Sequence, residues 1–167
     1  MESLQVTAGI LLCQGRLLLA TRRPGTHLAG LWEFPGGKVE CGETLENCIS
    51  RELQEELGLV VLEPRLAFRV THVYPQKTVQ LFFLRCDCQP GTEPVGREGQ
   101  QAGWFLPSEI PPTMVPADKA VLECLERGDW TSEDNGQPDR IVCLDAELTG
   151  QLADWLRQGN RKNGIAL

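Results

Sequence analysis

The sequence predicts one domain of the α/β class, and three observations carry that expectation. Runs rich in β-branched and aliphatic residues at 4–12, 15–23, 59–73 and 78–88 have the composition and the turn punctuation of strands. Between the second and third runs, Leu45, Ile49, Leu53 and Leu57 recur four apart, the spacing of one helical face. A proline-rich lead-in and a second helical pattern occupy 111–127. A chain of 167 residues is long enough to bury a full core, and one domain is the default at that length.

Taken in order, "LQVTAGILL" (4–12) and "GRLLLATRR" (15–23) form an expected hairpin around the turn Cys13–Gln14–Gly15, its second strand ending in Arg22 and Arg23. "GLWEF" (30–34) reads as a short strand running into "PGGK", a loop with adjacent Gly36 and Gly37. Thr44 is a good N-cap for the first helix, with Asn47 three residues on, and Gly58 suits its C-terminal stop. Then "LVVLEPRLAFRVTHV" (59–73) and "TVQLFFLRCDC" (78–88) flank the turn "YPQK". Residues 90–100 are a Pro/Gly-rich loop, 101–106 one more strand, and 111–127 the second helix.

Residues 1–127 are expected to form the main domain and 128–167 a C-terminal extension. Within the extension, "GDWTSEDNGQPD" reads as a linker and "RIVCL" as a short strand. "AELTGQLADWLRQG" reads as an amphipathic helix with Leu152, Trp155 and Leu156 on one face. Such a helix pads the domain or mediates dimerisation. The spacing leaves monomer and dimer both open.

A net charge of −7 argues against a wide electrostatic footprint on duplex nucleic acid. It is compatible with a small phosphorylated ligand, because a bound metal ion supplies local positive charge. The seven cysteines are odd in number and scattered, as reduced thiols in a cytosolic protein are. The Cys86/Cys88 pair has no second pair to complete a zinc site. No signal-peptide pattern opens the chain, and its apolar runs fall far short of the roughly 20 residues of a membrane helix. A cytoplasmic protein without a membrane partner is the expectation.

The chemistry concentrates in "RELQEELGL" (51–59). Glu52, Glu55 and Glu56 stand at i, i+3 and i+4, neighbours on one face, where like charges repel. They fill an arc of about 100° beside the apolar stripe, which itself covers about 120°. Carboxylates bordering a buried face point to something positive held against them. Mg²⁺ prefers oxygen ligands and binds through a few carboxylates plus substrate phosphates. Arg51 lies four residues before Glu55 and can pair with it, holding the array in register.

The spacing from Gly37 through Glu43 to Arg51–Leu59 resembles the signature of the Nudix hydrolases, G-x5-E-x7-R-E-U-x-E-E-x-G-U with U aliphatic, and matches all nine specified positions over 23 residues. "LQVTAGILL", "TRR", "EFPGGK", "YPQKTVQLFF" and "GREGQ" resemble segments of the MutT-like nucleoside triphosphate pyrophosphohydrolases, a likeness that covers about residues 4–127. The resemblance implies an α/β/α sandwich around a mixed sheet. It also implies attack of water at the β-phosphorus of a nucleoside triphosphate, releasing monophosphate and pyrophosphate. Mg²⁺ is the implied cofactor, with Mn²⁺ as a substitute. Glu52, Glu55, Glu56 and Glu98 become metal ligands, assisted by the backbone of Gly36 and Gly37. Lys38 neutralises the leaving pyrophosphate, and Arg23 clamps phosphates. Spacing leaves the general base open between Glu52 and Glu98.

For the nucleoside, the resemblance implies apolar walls from Leu4 and Phe34 and polar edges from His27 and Lys77. The segment "VPADK" puts Asp118 where 8-oxo-dGTP-cleaving MutT enzymes carry a base-reading asparagine, and CTP-type relatives also carry "PAD". Asparagine donates and accepts, whereas an ionised aspartate only accepts. The substrate expectation is therefore 8-oxo-dGTP, with CTP or dCTP, including modified cytosine, as the alternative. Pro75, sixteen residues past the signature, would fit an ADP-ribose hydrolase but belongs to the "YPQK" turn that MutT-like sequences share. A non-catalytic nucleotide- or RNA-end-binding module is the rival from another class; the intact glutamate set argues against it.

Overall fold

The first apolar run divides between two sheets. The computed structural model describes residues 2–162, with side chains up to 159. Strand β1 (Glu2–Ile10) pairs along its whole length, in parallel, with β7 (Lys77–Asp87), Glu2 opposite Lys77 and Ile10 opposite Arg85. Beyond Leu11, β2 (Leu12–Cys13) turns back into β3 (Arg16–Thr21), Leu12 opposite Leu17. The turn residues Gln14 and Gly15 both have positive φ, 50° and 74°, as a two-residue hairpin turn requires. The expected hairpin thus exists only at its tip.

"PGGK" differs from the expected loop as well. Short β4 (Trp32–Glu33) is followed by β5 (Gly36–Lys38), an edge strand antiparallel to β1 with Ala8 opposite Gly36. A Cβ on Gly36 would lie 2.0 Å from the Thr7 carbonyl oxygen, so glycine here permits a close strand approach.

The larger sheet continues from β7 to β6 (Leu62–Val73), then to β10 (Ile141–Cys143) and β9 (Trp130–Thr131), in the order β5-β1-β7-β6-β10-β9. The β1/β7 and β10/β9 pairs are parallel and the others antiparallel, so the sheet is mixed. In the smaller sheet β3 is central. Leu17 faces both Leu12 and Phe105, so β8 (Ala102–Phe105) lies along the edge opposite β2 and β4.

Helix α1 (Leu45–Leu57) begins and ends as its sequence predicts. The Asn47 N–H donates to Thr44 Oγ1 at 3.1 Å, and Gly58 takes φ of 66° with its N–H on the Gln54 carbonyl. Ile49, Leu53 and Leu57 pack with Leu18, Phe82 and Leu84 in one core. On the opposite side of the larger sheet, Phe68 and Phe83 stack with ring centroids 4.5 Å apart. There they meet α2 (Pro116–Arg127) through Val121 and Leu125, and α3 (Ala146–Lys162) through Leu148, Leu152 and Trp155. Helices therefore cover both faces, the α/β/α arrangement expected. Among the described residues no helix is long and apolar enough to cross a membrane.

The extension is built into this core. Ile141 pairs opposite Val70 of β6, and the supposed linker contains β9. It is tied down by the Asp139 N–H on the Thr71 carbonyl at 2.8 Å and by an Arg69–Asp134 ion pair. Trp155 Nε1 donates to the Gly15 carbonyl at 2.8 Å, joining the last helix to the first turn.

Candidate active site

Arg51 organises the exposed face of α1. Its guanidinium grips Glu43 with two bonds, Nε to Oε1 at 2.8 Å and Nη2 to Oε2 at 3.0 Å. Nη1 reaches Glu52 at 2.9 Å and Glu55 at 3.3 Å, and Nη2 also donates to the Lys38 carbonyl at 3.2 Å. The expected i,i+4 pairing with Glu55 is present, but Glu43 is the stronger partner. The Arg51 guanidinium and the Glu40 N–H hold the Glu43 carboxyl down at about 2. Arg51 thus braces Glu52 from one side. From the other, Gly37 gives it room: a Cβ there would lie 2.2 Å from the Glu52 carboxyl carbon.

The loop 95–100 brings Glu98 to the same helix by using the helix's own open end. The last carbonyls of a helix lack internal partners. The Val95 and Arg97 N–H groups satisfy those of Leu57 and Glu56, at 2.9 and 3.1 Å. Gln100 and the Gln101 N–H then fasten the loop to Thr21 of β3. Glu52, Glu55, Glu56 and Glu98 consequently line one hollow of about 180 Å³ with Arg23 and Arg97. Glu98 pairs with Arg23. Burial and the neighbouring Glu52 carboxylate push Glu56 up to about 7, against the pull of Arg23.

A larger cleft of about 600 Å³ opens beside this hollow and shares Arg23, Glu52, Glu56 and Gln100 with it. Leu4, Phe34, Gly36, Gly37, Lys38, Lys77 and Asp118 all line it. Asp118 arrives there because the residues before α2 join the edge of β4. The Trp32 N–H bonds to the Thr113 carbonyl and the Val115 N–H to the Trp32 carbonyl, at 3.0 and 2.8 Å. Asp118 Oδ2 accepts the Phe34 N–H at 2.8 Å. Burial pushes Asp118 up to about 7, with Glu33 adding to the rise and the Phe34 N–H and Arg22 opposing it.

His27 is the one expected pocket residue that the structure places elsewhere. It is exposed on the loop after β3, where its carbonyl accepts Arg22 Nε at 2.7 Å, and its ring does not line the cleft. Glu55 stays out of the main cleft, with its side chain 60% exposed.

Several lining residues went unread in the sequence. Glu33 lies in the cleft wall, paired with Arg22 at 2.9 Å, and burial raises its carboxyl above the ordinary range. A charge between Trp32 and Phe34 in a short strand was the available signal. His72 and Gln100 also line the cleft, His72 at the alternating position two residues from buried Val70.

All four candidate ligands offer carboxylate oxygens, the donor type a hard divalent cation takes. They fit such an ion by chemistry and by crowding. Among the described residues no three acidic, His or Cys side chains converge on one point, since Arg51 holds Glu52 and Arg23 holds Glu98.

Helices on both faces of a mixed sheet place a carboxylate shelf beside a partly apolar cleft, an arrangement able to hold a divalent cation against an anionic ligand. The chain belongs to the Nudix family: the NUDIX domain matches residues 3–125. It is 44% identical over 120 residues to a Haemophilus influenzae protein named 8-oxo-dGTP diphosphatase, across 71% of this chain and 88% of that one. It is 48% identical over 124 residues to the CTP pyrophosphohydrolase of Escherichia coli K12, across 74% and 91%. The crystal structure of a MutT NUDIX hydrolase from Burkholderia pseudomallei superposes with a TM-score of 0.64 at 26% identity, covering 74% of this chain and 98% of that one. Strands β9 and β10 and helix α3 lie beyond the matched domain.

Proposed function

We propose that this chain hydrolyses nucleoside triphosphates to the monophosphate and pyrophosphate, and that 8-oxo-dGTP is its favoured substrate, in cytoplasmic sanitation of the nucleotide pool. The observation that carries the reading is one continuous cleft that runs from buried Asp118 to the Glu52/Glu56 shelf. In it Phe34 and Leu4 flank the base, while Arg23 and Lys38 meet the phosphates. Glu52, Glu55, Glu56 and Glu98 would hold Mg²⁺, or Mn²⁺ in its place, which when bound would supply polarisation of the phosphoanhydride and a lowered pKa for water. Glu52, which borders both the cleft and the hollow, is the better placed of the two candidate bases; Glu98 borders only the hollow.

Asp118 suits a guanine-type base through O6, and the oxidised form of that base also through N7–H. Its Oδ2 is already occupied by the Phe34 N–H, which leaves one oxygen for the base. With the group raised to about 7, that oxygen carries a proton below neutrality and donates to a purine O6. Ionised, it only accepts, and then suits the N7–H of 8-oxoguanine or the N4 amine of cytosine, but no longer O6. The likeness to a CTP pyrophosphohydrolase favours CTP or dCTP as the second reading. The deciding experiment is kcat/KM for 8-oxo-dGTP, dGTP, CTP and dCTP at pH 6 and pH 8, with pyrophosphate as the readout. A higher value for 8-oxo-dGTP that declines relative to CTP at pH 8 is expected. A higher value for CTP at both pH values would overturn the substrate assignment, and no pyrophosphate from any of them would overturn the activity.

A further inference from the structure

Asp139 of the C-terminal extension touches a side chain of the cleft lining, and there a buried nitrogen lacks a partner among the described residues. His72 of β6 lies opposite Val79 of β7, and both line the cleft beside Tyr74 and Lys77. Its Nδ1 is 2.5 Å from Asp139 Oδ1, while its Nε2 is buried with no hydrogen-bond partner among the described residues. Asp139 belongs to the chain beyond the NUDIX domain. It is held just ahead of β10 by its N–H on the Thr71 carbonyl, in a left-handed conformation with φ of 60°.

A carboxylate can only accept, so it draws the imidazole proton to Nδ1 and leaves Nε2 as an acceptor. A buried acceptor left unpaired costs stability that a ligand donor restores. We propose that His72 is a substrate-binding residue, its Nε2 accepting a hydrogen bond from a donor of the bound nucleoside, and that Asp139 is its positioning residue. The donor is a base N–H or a sugar hydroxyl. The extension thereby supplies the residue that orients a cleft group carried by the NUDIX domain itself. This inference rests on the reading of the cleft as a nucleotide site.

The test is calorimetric titration of 8-oxo-dGMP and CMP into wild type, His72→Ala, Asp139→Asn, Asp139→Ala and the double alanine variant, with melting temperatures and triphosphate kinetics alongside. His72→Ala is expected to weaken binding by about fivefold to tenfold, the worth of one net hydrogen bond, with KM rising by the same factor while kcat holds. Asp139→Asn keeps an acceptor for Nδ1–H and tolerates the left-handed backbone, so it binds like wild type. Asp139→Ala weakens binding, but not further once His72 is gone, because the two act through one group. A 2′,3′-dideoxy analogue assigns the donor: if the gap between wild type and His72→Ala closes, it is the sugar hydroxyl, and if the gap persists, it is the base. Equal affinity of wild type and His72→Ala would sink the proposal, as would an Asp139→Ala loss that persists undiminished in the His72→Ala background. Wild type binding neither nucleotide would instead overturn the reading of the cleft, and the proposal with it.

Discussion

Replacing Gly37 by alanine is expected to uncouple activity from stability. The new Cβ would stand 2.2 Å from the Glu52 carboxyl carbon and 2.3 Å from its Oε1. Non-bonded carbons settle near 3.5 Å, so the carboxylate has to retreat by roughly 1 Å. Glu52 is the end of a flexible side chain and can move without disturbing the strand. Its retreat pulls Oε1 away from Arg51, 2.9 Å distant, and shifts a proposed metal ligand. A displacement of about 1 Å near the reacting centre costs on the order of a hundredfold in rate, or about 2.7 kcal/mol. Gly36→Ala is the control, because its Cβ would meet only backbone, the Thr7 carbonyl oxygen at 2.0 Å and the Ala8 Cα at 3.0 Å. Relief there requires breaking the β1/β5 pairing, at a cost of about 2–4 kcal/mol and several degrees of Tm. Pyrophosphate release at saturating Mg²⁺ and metal-free thermal melts measure the two effects. Wild-type turnover by Gly37→Ala, or a Tm loss matching that of Gly36→Ala, would refute the reasoning.

Glu55→Gln and Glu56→Gln are each expected to lower kcat by at least about a hundredfold without reducing metal-free stability, since each relieves like-charge crowding; near-wild-type rates for both would dismiss the metal assignment. Asp118 titrates at about 7 in the folded chain against 3.8 normally, so the folded state holds the proton more tightly. Its contribution to stability is then present below about pH 4, is lost as pH rises to 7 and is flat beyond. Asp118→Asn removes that slope, and melts from pH 4 to 8 that run parallel to wild type would contradict it. Leu152 is 1% exposed in the main core, so Leu152→Ala is expected to cost about 2–5 kcal/mol by urea unfolding. Truncation after Arg127 removes Ile141, Leu148, Leu152 and Trp155 from that core together, and cooperative unfolding of the truncated chain would show α3 to be dispensable.

What was legible in the sequence is what local patterns determine. The four-residue leucine spacing, the Thr44 cap and Gly58 gave α1 to its ends, and the glutamate spacing led to the shelf. Pairing between distant segments was hidden. Nothing local says that the 4–12 run breaks at Leu11, because both halves are apolar and the choice of sheet depends on β7, some seventy residues away. Gly36 and Gly37 looked like loop residues since glycine is poor in strands; the neighbours that exclude a side chain, Thr7 and Glu52, are close only in space. His27 was carried into the pocket by resemblance, but Arg22 fixes its carbonyl and leaves the ring outside. Glu33 and His72 were overlooked because a single charged residue or imidazole in a strand carries no periodic signal.

The bond from Trp155 to Gly15 has a consequence for how the protein is made. The hairpin is made before α3, so the part of the larger sheet that α3 covers stays bare until residues 146–162 have been made. Strand β1 waits in the same way for β7, and such distant pairings form slowly. Until then Phe68 and Phe83 have α2 but not α3 against them, and sheets left partly covered in this way are prone to associate. Helix α3 therefore times the closing of this core, which is complete only after residues 146–162 have been made.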